Sequence, residues 1–159
     1  MTVSLNTTLQ TVPFDELVDA GINRPARYIG HELGVVPRDW AGARVRWALT
    51  YPEVYEVGAS NLGHIILYSI LNAVPGQVCD RAYLPASDLA QRLREKDQAL
   101  FGVESRWSLN AFDILGFSLS YELGATNILE MLALCQVPIR ADARGDLPLN
   151  APGAPPLRF

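Results

Sequence analysis

The stretch that decides the fold is RVRWALTYPEVYEVGASNLG, residues 44–63, in which an apolar run leads into a loop marked by Pro and Gly and then into a helix start. Its first seven residues, 44–50, predict a buried strand. In open α/β sheets, ligands bind outside the carboxyl ends of the strands, where such loops lie. The segment DILGFSLSYE, residues 113–122, repeats this order with a second apolar run and a Ser-x-Ser end. The two loops are therefore expected to flank one crevice.

Strands and helices alternate on both sides of these segments. Predicted strands cover residues 44–50, 77–83 and 113–119, with a short strand near 100–104, and predicted helices cover residues 61–73, 86–97 and 123–135. Such alternation is typical of βαβ units and predicts an α/β fold: a flavodoxin-like (Rossmann-like) parallel sheet with helices on both faces. Because parallel crossovers are right-handed, the first strand is expected at the centre, between the other two long strands.

The helix that follows the first loop is apolar nearly all round. Its sequence, LGHIILYSILNAV, predicts that it is well buried. Ser60 is placed to cap its N-terminus, and Ser120 is placed to cap the helix after the Ser-x-Ser loop. His64 is interpreted as a surface or capping residue.

Two regions are expected along the chain. Residues 1–43 form an N-terminal leader that packs on the domain, and residues 44–159 form the α/β domain. A doubly wound sheet usually has more strands than are predicted here, and residues 157–159 resemble the start of another one. The chain is therefore interpreted as a fragment, truncated after its third helix, and the alternative is a complete small domain with a disordered end. A truncated sheet would have an open edge that favours homo-oligomers.

Composition excludes several classes of protein. The chain has 159 residues, a net charge of -4 and a pI near 5.1, so it fits one globular domain and lacks the basic balance of nucleic-acid-binding proteins. No apolar run is long enough to span a bilayer, and the first residues do not resemble a signal peptide, which predicts a cytoplasmic protein. Cys79 and Cys135 lie in apolar segments and are expected to be buried thiols.

Motif spacing excludes several kinds of chemistry. The glycines of GASNLG, residues 58–63, have phosphate-loop spacing, but His64 and Ile65 stand where Lys and Ser or Thr are required. No Gly-x-Gly-x-x-Gly is present, so there is no dinucleotide fingerprint. Two histidines and two distant cysteines give no metal-ligand spacing, and no residue resembles an activated nucleophile.

What remains is a pair of polar loops at the strand ends. Helix N-termini there offer free N–H groups, and glycine allows a ligand to approach the backbone closely. The alternative is that the serines only cap helices. The candidate ligand-binding residues are Tyr55, Gly58, Ser60, Asn61, Ser118, Ser120, Tyr121 and Glu122.

Three blocks of the chain carry a family resemblance: RYIGHELG (27–34), YPEVYEVGASNLG (51–63) and ESRWSLNAFDILGFSLSYELGATNILEML (104–132). They resemble the N-terminal, cobalamin-binding-like domain of a family of bacterial radical S-adenosylmethionine (SAM) proteins. The resemblance implies that cobalamin lies over the carboxyl ends of the strands, with Ser118 and Ser120 at its lower face. The axial-histidine motif of many cobalamin proteins is missing, because Tyr55 stands where the histidine would be.

The resemblance implies an accessory domain, because the Cys-x-x-x-Cys-x-x-Cys motif that holds the iron–sulfur cluster is absent from this chain. SAM and the cluster are therefore expected in a downstream radical SAM domain of the same polypeptide, and this chain is not expected to be catalytic alone. The domain would bind cobalamin or shape the substrate side of the downstream catalytic barrel. The alternative is a degenerate scaffold or interaction module that binds no cofactor.

Overall fold

The computed structural model describes residues 11–30, 32 and 35–143. After a short N-terminal helix, strands and helices follow one another in the chain. The strands are β1 (Val45–Tyr51), β2 (Gln77–Tyr83) and β3 (Ile114–Phe117). The helices are α1 (Phe14–Leu17), α2 (Tyr55–Gly58), α3 (Leu62–Ala73), α4 (Ser87–Glu95) and α5 (Gly124–Leu134).

The three strands form one parallel sheet with the order β2-β1-β3. Ala48 of β1 lies opposite Asp80 of β2 on one side and Leu115 of β3 on the other. This arrangement confirms the predicted α/β fold with β1 at the centre. The short strand predicted near 100–104 is wrong: there is only an isolated antiparallel bridge between Phe101 and Ser108, because the chain reverses direction between them.

Helices lie on both faces of the sheet, as predicted. Side chains alternate between the faces along a strand, so Ala48 and Tyr51 point to opposite sides. Ala48 belongs to a core cluster that includes Leu89 of α4 and Met131 of α5. On the other face, the Tyr51 ring meets the His64 ring of α3 edge-on. The same core cluster takes in side chains from before β1, namely Val12, Leu17, Ile22 and Tyr28.

The prediction that α3 is well buried is wrong. His64 is its one buried residue, while Leu62, Ile66 and Ile70 are exposed. The physical reason is that a helix on a sheet buries only one stripe, and the opposite stripe of α3 has no cover from the described part of the chain. The apolar sequence of α3 therefore supplies an exposed face of the helix as well as residues that contact the sheet.

β3 is an edge strand of the described sheet. It pairs with β1 on one side, and all four of its residues are only partly buried. The strand predicted to start at 157–159 and most of the Pro-rich tail lie outside the described residues. Pairing of this edge with another copy of the chain stays a prediction.

Both cysteines are free and fully buried, which confirms the prediction of buried thiols. Burial raises the pKa of Cys79 and the pKa of Cys135 to about 12 each, so both stay protonated at neutral pH. Among the described residues, no helix has the length and apolar character to cross a membrane.

Candidate functional site

The loops at the carboxyl ends of β1 and β3 come together through their side chains. The loop after β1 leads through α2 into α3, and the loop after β3 leads into α5. Because the strands are parallel neighbours, their carboxyl ends lie at the same edge of the sheet. We refer to the side chains that meet there as the strand-end cluster: Tyr51, Asn61, His64, Ser118 and Ser120.

Hydrogen bonds within the strand-end cluster join the two loops. The Tyr51 hydroxyl accepts a hydrogen bond from Asn61 Nδ2 at 3.1 Å and lies 3.3 Å from Ser120 Oγ. Ser118 Oγ lies 3.3 Å from His64 Nδ1. The hydroxyls of Ser118, Ser120 and Tyr51 therefore have partners within the protein.

Asn61, not Ser60, caps α3. Its Oδ1 accepts the backbone N–H of His64 at 3.0 Å, because the helix begins at Leu62, one residue later than expected. Ser60 Oγ instead donates to the carbonyl of Val57 at 2.9 Å. The prediction that Ser120 caps the next helix is also wrong, since α5 begins at Gly124 and its N-cap residue, Leu123, makes no side-chain cap.

His64 is a buried member of the cluster, and its interpretation as a surface residue is wrong. Its ring contacts the rings of Tyr51 and Tyr83, with centroid distances of 5.4 Å and 5.7 Å. Burial, together with the positive charge of Arg81, lowers the pKa of His64 to about 4, so the imidazole is neutral at pH 7. Its Nε2 atom is buried and has no hydrogen-bond partner among the described residues.

Gly58 allows Tyr83 to pack under the first loop. A Cβ atom at this position would lie 2.4 Å from Cδ1 of the Tyr83 ring, closer than van der Waals contact permits. Tyr55 meets the same ring edge-on, with 5.2 Å between centroids. The absence of a side chain at Gly58 therefore makes room for the Tyr83 ring.

The remaining candidate residues make their hydrogen bonds outside the strand-end cluster. The Tyr55 hydroxyl donates to Glu32 at 2.5 Å, and the Tyr121 hydroxyl donates to Glu53. Glu122 is exposed, and its backbone carbonyl accepts from Ala125 at 3.0 Å. The structure therefore gathers Asn61, Ser118 and Ser120, and leaves the other candidates apart from them. A ligand-binding role for any of these residues stays a prediction.

A charged cluster, which the sequence interpretation missed, lies beside the strand ends. Arg81 is only 3% exposed and pairs with Glu104 at 3.1 Å and with Glu32 at 2.7 Å. Its guanidinium also lies over the ring of Tyr68, 4.7 Å from the centroid. Burial raises the pKa of Glu104, whereas Arg81 acts in the opposite direction. The signal in the sequence was the pair Asp80 and Arg81 inside an otherwise apolar strand.

Asp80 holds the chain reversal that follows α4. Its carboxylate is fully buried and accepts the backbone N–H groups of Arg81, Glu104 and Ser105 at 2.7, 3.1 and 2.8 Å. The Ser105 hydroxyl adds a fourth hydrogen bond at 2.6 Å. These contacts anchor the segment that carries Glu104, so Asp80 supports the charged cluster.

The sheet and its polar strand ends define an α/β domain of the flavodoxin-like class. Residues 63–157, more than half of the chain, match the family model of the N-terminal region of radical SAM proteins. The chain belongs to this family, and it is an accessory domain of a radical SAM protein. Family membership implies SAM and an iron–sulfur cluster in the parent protein. No curated protein and no solved structure matches the chain.

Proposed function

We propose that this domain is a scaffold that binds no corrinoid and shapes the substrate side of the downstream catalytic barrel. The observation that carries the proposal is the strand-end cluster, in which the hydroxyls of Ser118 and Ser120 each lie 3.3 Å from a partner in the protein, His64 and Tyr51 respectively. Such a network holds two loops in one arrangement without a ligand. The loops then form a preformed surface that needs no cofactor to order it.

The described strand-end residues do not fit a corrinoid. The resemblance places the serine hydroxyls at the lower face of the cofactor, yet both already have partners within the protein. The space beside Gly58, where a ligand would approach the backbone, is occupied by the Tyr83 ring. Tyr55, which stands in place of the axial histidine, donates its hydroxyl proton to Glu32.

Large apolar side chains are exposed at the rim of the strand ends, beside the exposed Ser120 and Glu122, which supports a role in shaping a substrate cavity. Three large side chains of the loop after β3 are exposed there: Leu119, Tyr121 and Leu123. Leu62, at the start of α3, adds a fourth. Apolar surface around a reaction chamber excludes water, which protects reactive intermediates from side reactions. His64 is buried and neutral at pH 7, so it adds no positive charge to such a chamber.

The alternative function is that of a cobalamin holder. The feature that favours it is the position of Ser118 and Ser120 together at the carboxyl edge of the sheet, where the resemblance expects a Ser-x-Ser contact. Binding would add a ligand contact to hydroxyls that already lie 3.3 Å from His64 and Tyr51. The two functions therefore differ in whether free corrinoid binds.

Titration of the full polypeptide with hydroxocobalamin separates the two functions. We expect no saturable change in the visible absorbance for the natural protein or for Ser118→Leu and Ser120→Leu. The loss of one contact, about 1 kcal/mol, would weaken corrinoid binding severalfold. The scaffold function is therefore contradicted if the natural protein binds saturably and either leucine variant binds severalfold more weakly. Arg92→Ala, on a helix away from the strand ends, is the matched control and leaves any binding unchanged.

A further inference from the structure

Helix α3 turns its polar side chains toward the sheet. His64, Tyr68 and Asn72 are spaced four residues apart and therefore lie on one face. His64 meets Ser118, Tyr68 donates to Glu104 at 3.0 Å, and Asn72 bonds both the N–H and the carbonyl of Cys79. A helix packed on a sheet usually buries its apolar stripe instead.

Four of the six large aliphatic side chains of α3 are exposed. The outer face of α3 consists of Leu62, Ile66, Leu67 and Ile70, which are 71%, 49%, 48% and 56% exposed, and the exposed Val74 follows directly after the helix. Leu62, Ile66 and Ile70 follow one another at intervals of four, so they form a single ridge along the helix. The helix itself, LGHIILYSILNA, contains no Asp, Glu, Lys or Arg. A contiguous apolar ridge without charge marks an interaction surface.

We infer that the outer face of α3 is the docking surface for the catalytic domain of the same radical SAM polypeptide. The inference rests on the proposed function insofar as the domain serves that catalytic part, but it does not depend on whether a corrinoid binds. The complementary surface is an apolar, uncharged helix or sheet face, because a buried charge opposite this ridge would find no partner on it.

The size of the ridge favours a neighbouring domain over a second copy of the chain. Its exposed area is on the order of 400 Å², within the range of the largest apolar patch on a protein surface. A stable complex between separate chains buries about 800 Å² on each partner. A covalently linked domain needs less area, because the linker supplies an effective concentration in the millimolar range. The ridge also runs into the apolar rim at Leu62, so both surfaces can serve one partner.

A lipid surface is a poorer match for the outer face of α3. Helices that lie in a membrane interface carry Lys and Arg along their polar side, where these side chains meet the headgroups. The polar side of α3 carries His64, Tyr68 and Asn72 and is occupied by contacts with the sheet and with Glu104. The observations therefore favour a protein partner.

Hydroxyl-radical labelling of side chains in the full polypeptide, read by mass spectrometry, tests the inference. Leu67 on α3 and Leu129 on α5 are a matched pair of the same residue type, with exposures of 48% and 46% in this domain. We expect Leu67 to be labelled at least about fivefold more slowly than Leu129, because only a docked partner removes it from water. Equal labelling rates would overturn the inference.

Two charge-matched double variants identify the occupant. In Ile66→Glu with Ile70→Glu, labelling of Leu67 should rise to the rate of Leu129, since two carboxylates cannot be buried in an apolar contact. The control variant, Ala125→Glu with Leu129→Glu, places two carboxylates at the same spacing on exposed positions of α5. In this variant the labelling rate of Leu67 should stay low. Protection of Leu67 that disappears on dilution would mean a second copy and would overturn the inference. If the natural polypeptide binds corrinoid while Leu67 stays protected, the scaffold function is contradicted and the docking inference stands.

Discussion

Asp80→Asn is expected to lower the free energy of unfolding by about 2–3 kcal/mol, because it weakens buried hydrogen bonds to a carboxylate and leaves a buried N–H group without an acceptor. The carboxylate accepts the N–H groups of Arg81 and Glu104 on one oxygen and that of Ser105 on the other. Either orientation of an asparagine amide sets its NH₂ group against at least one backbone N–H. Chemical denaturation followed by tryptophan fluorescence measures the loss.

The matched control for this substitution is Asp19→Asn. Asp19 pairs with Arg92 at the surface, where its side chain is 53% exposed. Surface ion pairs contribute about 1 kcal/mol or less. A loss at Asp80 no larger than the loss at Asp19 would mean that the buried carboxylate does not anchor the segment around Glu104.

His64 is expected to make the stability of the domain depend on pH. Its pKa of about 4 in the folded protein lies below the ordinary value of 6.5, so protonation favours the unfolded chain. The contribution of neutral His64 is fully present above pH 6.5 and is lost as the pH falls toward 4. Between pH 7 and pH 5 the loss amounts to about 2 kcal/mol.

His64→Gln isolates this contribution, because glutamine keeps a polar side chain but does not titrate. The free energy of unfolding is measured for both proteins at pH 7 and at pH 5, and the two changes are subtracted, which removes the common effect of the carboxylates. The natural protein is expected to lose about 2 kcal/mol more than the variant. Equal losses would show that His64 titrates normally and is accessible to water.

The sheet could be predicted because its signal is local. The runs at 44–50 and 113–119 are apolar and end at turn residues, and the helices between them predict parallel pairing with β1 at the centre. The two polar loops at the carboxyl edge follow from this topology. Their ligand-binding role does not follow, because a serine that binds a ligand and a serine that bonds a neighbouring side chain look alike in sequence.

The direction in which α3 faces could not be predicted from hydrophobicity. Its apolar content suggested burial, whereas the decisive residues are the three polar ones, whose partners lie outside α3. Pairings such as Tyr68 with Glu104 depend on the tertiary fold. The burial of His64 has the same origin, because it follows from the Tyr51 and Tyr83 rings packed around it.

The corrinoid content of the full polypeptide tests the central claim most directly. The protein is purified from cells that are supplied with cobalamin, and an acid extract is analysed by mass spectrometry. A scaffold whose strand-end hydroxyls are bonded to His64 and Tyr51 predicts an extract without corrinoid. One corrinoid per chain in the natural protein, absent from the Ser118→Leu variant, would contradict it.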